Sequence, residues 1–196
     1  MTAPILAATN WASNAELIID AHRLGYIGDR VLDPTYGRGN WWKLWQPVEL
    51  VTHDIRIDGV DFRDLPDDGL FDTIAFDPPY VPQGGRATST TQEFLDRYGL
   101  VEVPSTHGEL LDLIVEGMVE FKRHLKPGGT VLVKCMSFVY GGKWRPLPRL
   151  IANHAEKMKY RQIDELVHLR SPGPQPARDR QLTARRNYSL MMVFRR

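Results

Sequence analysis

The tetrapeptide Asp77-Pro78-Pro79-Tyr80 carries the most distinctive chemistry in the sequence. Proline has no amide hydrogen to donate, so two consecutive prolines end a central strand and fix the backbone that follows it. We expect this rigid turn to hold the Asp77 carboxylate and the Pro78 carbonyl toward one point, where they accept both hydrogens of an amino group. The nitrogen lone pair is then aimed at an electrophile, while the Tyr80 ring stacks on the group that carries the amine. The tetrapeptide therefore predicts a site that positions a planar amine for attack.

A second turn, at residues 33–39, predicts a cofactor site. Asp33 stands at the end of an apolar stretch, and Gly37 and Gly39 close the turn, where the absence of a Cβ lets the backbone approach a ligand at contact distance. The turn has two of the three glycines of the dinucleotide fingerprint, which disfavours a nicotinamide cofactor. An acid at the turn favours a ligand with an amino group and a positive centre. S-adenosylmethionine has both features.

Acids also follow the next two predicted strands. Asp54 lies 21 positions beyond Asp33, and an acid there can accept hydrogen bonds from ribose hydroxyls. We expect Asp61 to accept from the adenine amino group and Phe62 to stack on the adenine ring. The predicted cofactor site comprises Asn10, Asp33, Pro34, Tyr36, Gly37, Gly39, Asp54, Asp61 and Phe62.

Helices and strands alternate along the chain, as they must to bring these turns together. Capping boxes at Ser13–Glu16 and Thr106–Glu109 start two helices, of which the first ends near Gly25 and the second at Pro127-Gly128-Gly129. We predict strands at 30–33, 48–52, 59–60, 71–76, 130–135, 160–169 and 188–194, and further helices at 40–46 and 146–158. The alternation predicts an α/β fold whose mainly parallel sheet is covered on both faces and ends in an antiparallel strand pair. Ligands bind such sheets at the carboxyl ends of the strands, where both turns lie.

In this order, the two turns resemble the amino-methyltransferase family that acts on adenine N6 or cytosine N4 of DNA. The resemblance continues through Lys126-Pro127-Gly128-Gly129 and Arg186-Asn187-Tyr188, and it is greatest for compact phage and actinobacterial DNA methylases. It implies a Rossmann-like S-adenosylmethionine-dependent methyltransferase fold, with the tetrapeptide as the catalytic motif and Asp33, Gly37 and Gly39 at the cofactor. Aspartate at the first catalytic position resembles the adenine branch. The implied activity is methylation of a flipped adenine at N6, in a setting such as restriction-modification.

The charge distribution predicts a nucleic-acid partner. Residues 1–142 hold 12 Lys and Arg against 20 Asp and Glu, whereas residues 143–196 hold 13 against 4. Clustered cations attract phosphates, so we expect DNA contacts from the basic part and from the loops beside the site. The residues predicted to touch nucleic acid are Arg86, Lys143, Arg170, Arg178, Arg180, Arg185 and Arg186.

The length of 196 residues predicts a single methyltransferase domain over residues 1–196, without a separate target-recognition domain. Sequence specificity is then short or relaxed, or it needs an oligomer or a partner protein. The sequence has no apolar run of membrane-spanning length and no secretion signal, so we expect a cytoplasmic protein that does not bind membranes. Its only cysteine, Cys135, and its scattered histidines predict no metal site.

Three alternatives remain open at the level of the sequence. The chain resembles RNA base methyltransferases that act on adenine or guanine amines, and cytosine N4 of DNA is a second alternative substrate. A non-catalytic nucleic-acid-binding subunit is a third alternative, although it would have no need of an intact Asp33, Gly37 and Asp77. Methylated nucleosides recovered from DNA and from RNA distinguish a DNA substrate from an RNA substrate, and cofactor binding distinguishes the enzyme from the non-catalytic subunit.

Overall fold

A six-stranded sheet forms the centre of the protein. The computed structural model describes residues 11–79, 106–140, 143–169, 184 and 186–196. The strands are β1 (Arg30–Asp33), β2 (Glu49–Thr52), β3 (Phe71–Phe76), β4 (Leu125–Cys135), β5 (Phe138–Tyr140), β6 (Lys143–Arg145), β7 (Arg161–Leu169) and β8 (Tyr188–Arg195). The helices are α1 (Asn14–Arg23), α2 (His107–His124) and α3 (Leu147–Lys157), with a 3₁₀ turn at Asn40–Trp42. The sheet order is β2-β1-β3-β4-β8-β7, and β5 and β6 form a separate hairpin.

The sheet is parallel where the two predicted turns leave it. β1 pairs in parallel with β2 on one side and β3 on the other, and β3 pairs in parallel with β4. β8 runs antiparallel to both β4 and β7, which confirms the expected antiparallel strand pair. The chain passes outward from β1 to β2 and then crosses to β3 on the opposite side of β1. In open α/β sheets, such a reversal of strand order leaves a ligand-binding crevice at the carboxyl ends of the strands.

Helices cover both faces of the sheet. Successive residues of a strand face opposite sides, and in β3 Ile74 and Phe76 pack into the cluster that contains α2 and α3, while Ala75 packs into the cluster that contains α1. The Trp-rich turn belongs to the α1 side, because Trp41 and Trp42 are buried there. Within the described ranges, none of the helices is long and apolar enough to cross a membrane.

Both predicted capping boxes start helices. The Ser13 side chain accepts from the Glu16 amide at 3.3 Å, and the Thr106 side chain accepts from the Glu109 amide at 3.1 Å. Each bond satisfies a backbone donor that the first helical turn leaves without a partner. α2 therefore begins at a defined point, and residues 80–105, which join Pro79 to its cap, lie outside the described residues.

The prediction of a strand at residues 59–60 is wrong. The Asp58 carboxylate accepts hydrogen bonds from the Asp54 amide at 3.1 Å and from the Val60 amide at 3.2 Å, so this segment folds into turns instead of pairing with the sheet. The helix expected at 40–46 is also wrong in length, since it is a 3₁₀ turn at Asn40–Trp42.

The boundary between α2 and β4 differs from the expectation as well. α2 ends at His124 and β4 begins at Leu125, so the Pro-Gly-Gly segment lies inside the strand. The pairing of β3 with β4 shifts register there, and a Cβ on Gly129 would lie 2.9 Å from the Asp72 carbonyl oxygen. The glycine thus permits a close approach of two strands and, contrary to the expectation from the sequence, does not end the helix.

Candidate active site

A cleft of about 890 Å³ opens at the carboxyl ends of β1, β2 and β3. It lies where the strand order reverses, with Asp33 as the last residue of β1 and Asp77 directly after β3. The sequence-predicted residues that line it are Asp33, Pro34, Tyr36, Gly37, Asp54, Asp61, Phe62, Asp77 and Pro79. The structure therefore brings both predicted turns into one cavity.

The glycine turn has the backbone conformation that its sequence requires. Gly37 has a φ of +55° and Gly39 a φ of +62°, in the left-handed region that side chains disfavour. A Cβ on Gly39 would also lie 2.6 Å from the Tyr36 hydroxyl oxygen. Gly37 lines the cleft, whereas Gly39 supports the turn beneath Tyr36 and caps the 3₁₀ turn.

Asp33 is a buried carboxylate at the floor of the cleft. Its oxygens accept hydrogen bonds from the Trp42 indole at 2.7 Å and from the Thr35 amide at 3.0 Å. The pKa of Asp33 is raised to about 7, mainly because the carboxyl is buried; the two hydrogen bonds oppose this rise, and the charges of Asp77 and Asp54 add to it. The carboxylate thus holds the turn in shape, and its ionised form is one that a nearby cation would stabilise.

Asp54 joins the turn after β2 to the glycine turn. One carboxylate oxygen accepts from the Gly37 amide at 2.9 Å, and the other accepts from the Arg56 amide at 2.9 Å. The neighbouring His53 ring bonds Asp58 at 2.7 Å through Nδ1 and Asp68 at 2.8 Å through Nε2. The loop that presents Asp54 is therefore fixed at both of its ends.

Asp61 and Phe62 line the cleft with existing partners. The Arg63 guanidinium bonds both oxygens of Asp61, at 3.0 Å from Nε and 2.6 Å from Nη2. Burial of Asp61 opposes its ionisation, but the bonds from Arg63 outweigh it and lower the pKa of that carboxyl. Phe62 is 8% exposed and packs against Phe76, with ring centroids 5.0 Å apart. Their roles at an adenine ring stay predictions.

The Asp77-Pro78-Pro79 turn after β3 is tied directly to the glycine turn. The Asp77 amide donates to the Thr35 hydroxyl oxygen at 3.0 Å, so the first residue after β3 is held by a residue that follows β1. Pro78 and Pro79 are buried, which adds packing to the conformational restraint of their rings. Tyr80 and the predicted cofactor residue Asn10 lie outside the described residues.

Several cleft residues were absent from the sequence prediction. Thr35 has no signature that separates it from other turn residues, and its bond to Asp77 spans 42 positions. Asn14 also lines the cleft, and its side-chain oxygen accepts a hydrogen bond from Lys134, a lysine that is only 1% exposed at the end of β4. The apolar and aromatic residues missed in the lining are Trp41, Ile55, Ile57, Val60 and Leu113.

Two of the residues predicted to contact nucleic acid lie within the described part of the chain. Lys143 is exposed at the start of β6, and Arg186 lies just before β8, with its guanidinium carbon 5.8 Å from the centroid of the Trp144 ring. The other predicted contacts, Arg86, Arg170, Arg178, Arg180 and Arg185, lie outside the described residues.

Comparison with known proteins identifies the fold. No protein-family model and no curated protein matches this sequence. Among solved structures, the N-methyltransferase NodS from Bradyrhizobium japonicum WM9 aligns with a TM-score of 0.56 at 10% identity, over 92% of this chain and 93% of NodS. TrmN from Thermus thermophilus aligns with a TM-score of 0.51 at 15% identity, over 92% of this chain and 47% of TrmN.

A further similar structure is TTHA0409, also from Thermus thermophilus and provisionally named a DNA modification methylase. It aligns with a TM-score of 0.44 at 14% identity, over 85% of this chain and 52% of that protein. This chain therefore spans about half the length of TTHA0409 and of TrmN. At these identities the likeness establishes the architecture: the chain has the Rossmann-like fold of S-adenosylmethionine-dependent methyltransferases.

Proposed function

We propose that this protein is an S-adenosylmethionine-dependent methyltransferase that methylates N6 of a flipped adenine in DNA. The observation that carries the proposal is the meeting of the two turns in one cleft, where the Thr35 hydroxyl accepts from the Asp77 amide at 3.0 Å. A methyl donor on the glycine turn and an amine at Asp77 are then neighbours. This arrangement converts the reaction of two ligands into a reaction within one complex.

The residues around the cleft fit S-adenosylmethionine. The volume of about 890 Å³ is within the range of small-molecule sites, roughly 300–1,000 Å³. Asp54 and Asp77 both raise the pKa of the buried Asp33, so this part of the cleft has an excess of negative charge that a ligand with sulfonium and ammonium groups relieves. When bound, S-adenosylmethionine supplies an electrophilic methyl group. Asp54 lines the cleft and is proposed to accept hydrogen bonds from the ribose hydroxyls, and Ile55 and Val60 offer apolar surface in the same lining.

The residues of the catalytic turn hold and activate the amine. The Asp77 carboxylate and the Pro78 carbonyl each accept one hydrogen of the adenine amino group, which orients the nitrogen lone pair toward the methyl carbon. S-adenosylmethionine held at the glycine turn would supply the methyl carbon that this nitrogen attacks, and it would leave with the electron pair of its broken carbon–sulfur bond. The nitrogen then gives its surplus proton to the Asp77 carboxylate, which passes it to solvent. Orientation by fixed acceptors supplies much of the rate.

Adenine in DNA is the substrate that we favour. An adenine amino group inside a duplex is out of reach of such a cleft, so the base must be flipped, and Tyr80 is proposed to stack on it. The resemblance of the catalytic turn to the adenine branch supports adenine over cytosine. The excess of 13 Lys and Arg over 4 Asp and Glu in residues 143–196 supports a phosphate backbone as partner.

Mass spectrometry of methylated nucleosides tests this function. The protein is incubated with methyl-labelled S-adenosylmethionine and either genomic DNA or total RNA, and each product is digested to nucleosides. We expect labelled N6-methyladenine from DNA. Label found only in N4-methylcytosine, or only in RNA, would contradict the proposed substrate and retain the proposed chemistry. Failure to bind S-adenosylmethionine in calorimetry would contradict the enzyme itself and favour a non-catalytic nucleic-acid-binding subunit.

A further inference from the structure

An exposed tryptophan stands near the proposed active site without belonging to its cleft. Trp144 lies in β6 and is 55% exposed, although tryptophan is among the largest apolar side chains. The Arg186 guanidinium carbon lies 5.8 Å from the centroid of the Trp144 ring, within the range of a cation–π contact. The ring therefore has a cation beside it and retains open surface for a second planar group.

The chain topology places this pair at the same edge of the sheet as the cleft. β5 and β6 follow the carboxyl end of β4, which is parallel to β3 and ends on the same side as Asp77. Arg186 precedes the start of β8, and β8 is antiparallel to β4, with Leu190 paired to Cys135 at the end of β4. Both partners of the cation–π contact thus lie at the edge where the target base is proposed to enter.

The hairpin that carries Trp144 is anchored from one face. Phe138 is buried in the main core cluster and pairs with Arg145, while the His107 ring of α2 lies with its centroid 5.6 Å from that of Phe138. Trp144 is the neighbour of Arg145 along β6 and so points to the opposite face of the hairpin. Packing on the Phe138 side consequently presents the Trp144 ring on the other side.

The surroundings of Trp144 are cationic. Lys143 precedes Trp144 in the sequence and Arg149 follows it, and both side chains are exposed. Residues 138–155 contain three Lys and Arg residues and no Asp or Glu. An exposed aromatic ring among cations matches the two components of a nucleic acid, since bases stack on aromatic faces and phosphates pair with Lys and Arg.

We propose that Trp144 and Arg186 form a platform on which a base next to the flipped adenine in DNA stacks. This inference rests on the proposed function, because the flipped adenine defines the position of its neighbour. A platform beside the cleft offsets the stacking that the neighbouring base loses when adenine leaves the duplex. It also gives the chain a means of favouring particular flanking bases.

Binding of DNA to variants of the platform tests the proposal. Fluorescence anisotropy measures the dissociation constant of a fluorescein-labelled DNA duplex. The first duplex has a mixed sequence, and the second contains the sequence that the protein is found to methylate. We expect Trp144→Ala to weaken binding by roughly 5- to 100-fold and Trp144→Phe to have a smaller effect, because phenylalanine keeps a stacking face. Arg186→Ala should weaken binding by about 2- to 5-fold. Two control variants lie at the opposite edge of the sheet: Val48→Ala, an exposed apolar residue before β2, and Lys157→Ala, at the end of α3; both should bind as wild type.

An abasic scan then locates the stacked base. Removing the base that contacts Trp144 should weaken binding to wild type but not further weaken binding to Trp144→Ala, because the same contact cannot be lost twice. Wild-type affinity for DNA in Trp144→Ala, equal abasic profiles in the two proteins, or binding carried by RNA alone would overturn the platform. Calorimetric affinity for S-adenosylmethionine should be unchanged in Trp144→Ala. Loss of cofactor binding or methylation in wild type would instead count against the proposed function, and the DNA affinities would still be measurable.

Discussion

At the scale of single residues, Asp77 is the side chain on which the proposed chemistry depends most. It follows β3 directly, its amide is fixed by Thr35, and it lines the cleft together with Pro79. In the proposed mechanism, removal of this carboxylate deletes one of two acceptors and leaves the other, the Pro78 carbonyl, in the chain. The role of Asp77 in turnover can therefore be separated from any role in cofactor binding.

We predict that Asp77→Ala lowers kcat by at least about 100-fold and leaves the dissociation constant for S-adenosylmethionine nearly unchanged. The magnitude is that of losing a positioned hydrogen-bonding group in an active site. Steady-state methyl transfer and calorimetry provide the two values. Asp67→Ala removes an exposed carboxylate outside the cleft and should retain wild-type turnover. Parallel loss of turnover and cofactor affinity in Asp77→Ala would show that Asp77 has been assigned the wrong role.

Asp33 leads to a second prediction at the same scale, because burial, together with the charges of Asp77 and Asp54, raises its pKa to about 7. A cationic ligand favours the ionised carboxylate, so binding of S-adenosylmethionine should release protons near neutral pH. Affinity should then increase as the pH rises toward 7 and level off above it. Calorimetry in two buffers of different ionisation enthalpy measures the released protons. Asp33→Asn should bind more weakly and release fewer protons; equal proton release in the two proteins would contradict the prediction.

At the scale of secondary-structure elements, the loop after β2 contains a histidine whose hydrogen bonds depend on pH. His53 contacts Asp58 and Asp68 through its two ring nitrogens, and both can be donors only when the ring is protonated. Burial disfavours the charged ring, but the bonds to Asp68 and Asp58 outweigh this effect and raise the pKa of His53. When the His53 ring is protonated, it donates to both carboxylates and so holds the segment that presents Asp54 to the cleft.

We predict that the clamp formed by His53 with Asp58 and Asp68 stabilises the protein at low pH and is lost as the pH rises. The pKa of His53 is higher in the folded state than in the unfolded chain, so its contribution is complete below the unfolded pKa and disappears above the raised one. Between pH 6 and pH 8, the free energy of unfolding in urea should fall by about 1 kcal/mol more in wild type than in His53→Gln, whose side chain keeps a neutral donor. An identical pH dependence of the free energy of unfolding in both proteins would contradict the clamp.

Patterns within a single segment predicted most of the elements. The apolar run at residues 71–76 became β3 over the same residues, and both capping boxes start helices. The strand expected at 59–60 failed because the bonds from Asp58 to nearby amides are local and compete with pairing. Alternating strands and helices were sufficient to predict a sheet with both faces covered, since few architectures bury such elements.

Contacts between distant segments could not be predicted from the sequence. Thr35 meets Asp77 across 42 positions, and Lys134 meets Asn14 across 120, so both contacts depend on which strands are neighbours. The acids at Asp33, Asp54 and Asp77 were predictable for a different reason: each lies at the end of a strand or just after it, and the carboxyl ends of parallel strands share one edge. Strand ends are marked in a sequence, whereas the order of strands in a sheet is not.

At the scale of the whole molecule, the uneven charge bears on how the protein meets its substrate. Residues 1–142 contribute the acidic cleft, whereas residues 143–196 contribute 13 Lys and Arg against 4 Asp and Glu. Lys143 and Arg186, from the basic part, lie at the edge of the sheet where the cleft opens. An acidic cleft beside a basic surface attracts a cationic cofactor and a polyanion to adjacent sites.

We predict that DNA binding weakens steeply with salt. Each phosphate that a lysine or arginine neutralises releases condensed counterions, so the logarithm of the association constant should fall linearly with the logarithm of salt concentration, with a slope of about −0.9 per contact in duplex DNA. Lys143→Ala should reduce the magnitude of this slope by about one, with little dependence on sequence, because it removes a phosphate contact and no base contact. Lys157→Ala, at the other edge of the sheet, should leave the slope as in wild type. Anisotropy titrations measure all three slopes from about 50 to 200 mM salt, a range over which several such contacts change affinity strongly.

Salt-independent binding in wild type would mean that the basic surface does not face the DNA backbone. The proposal of a nucleic-acid substrate would then lose its electrostatic support.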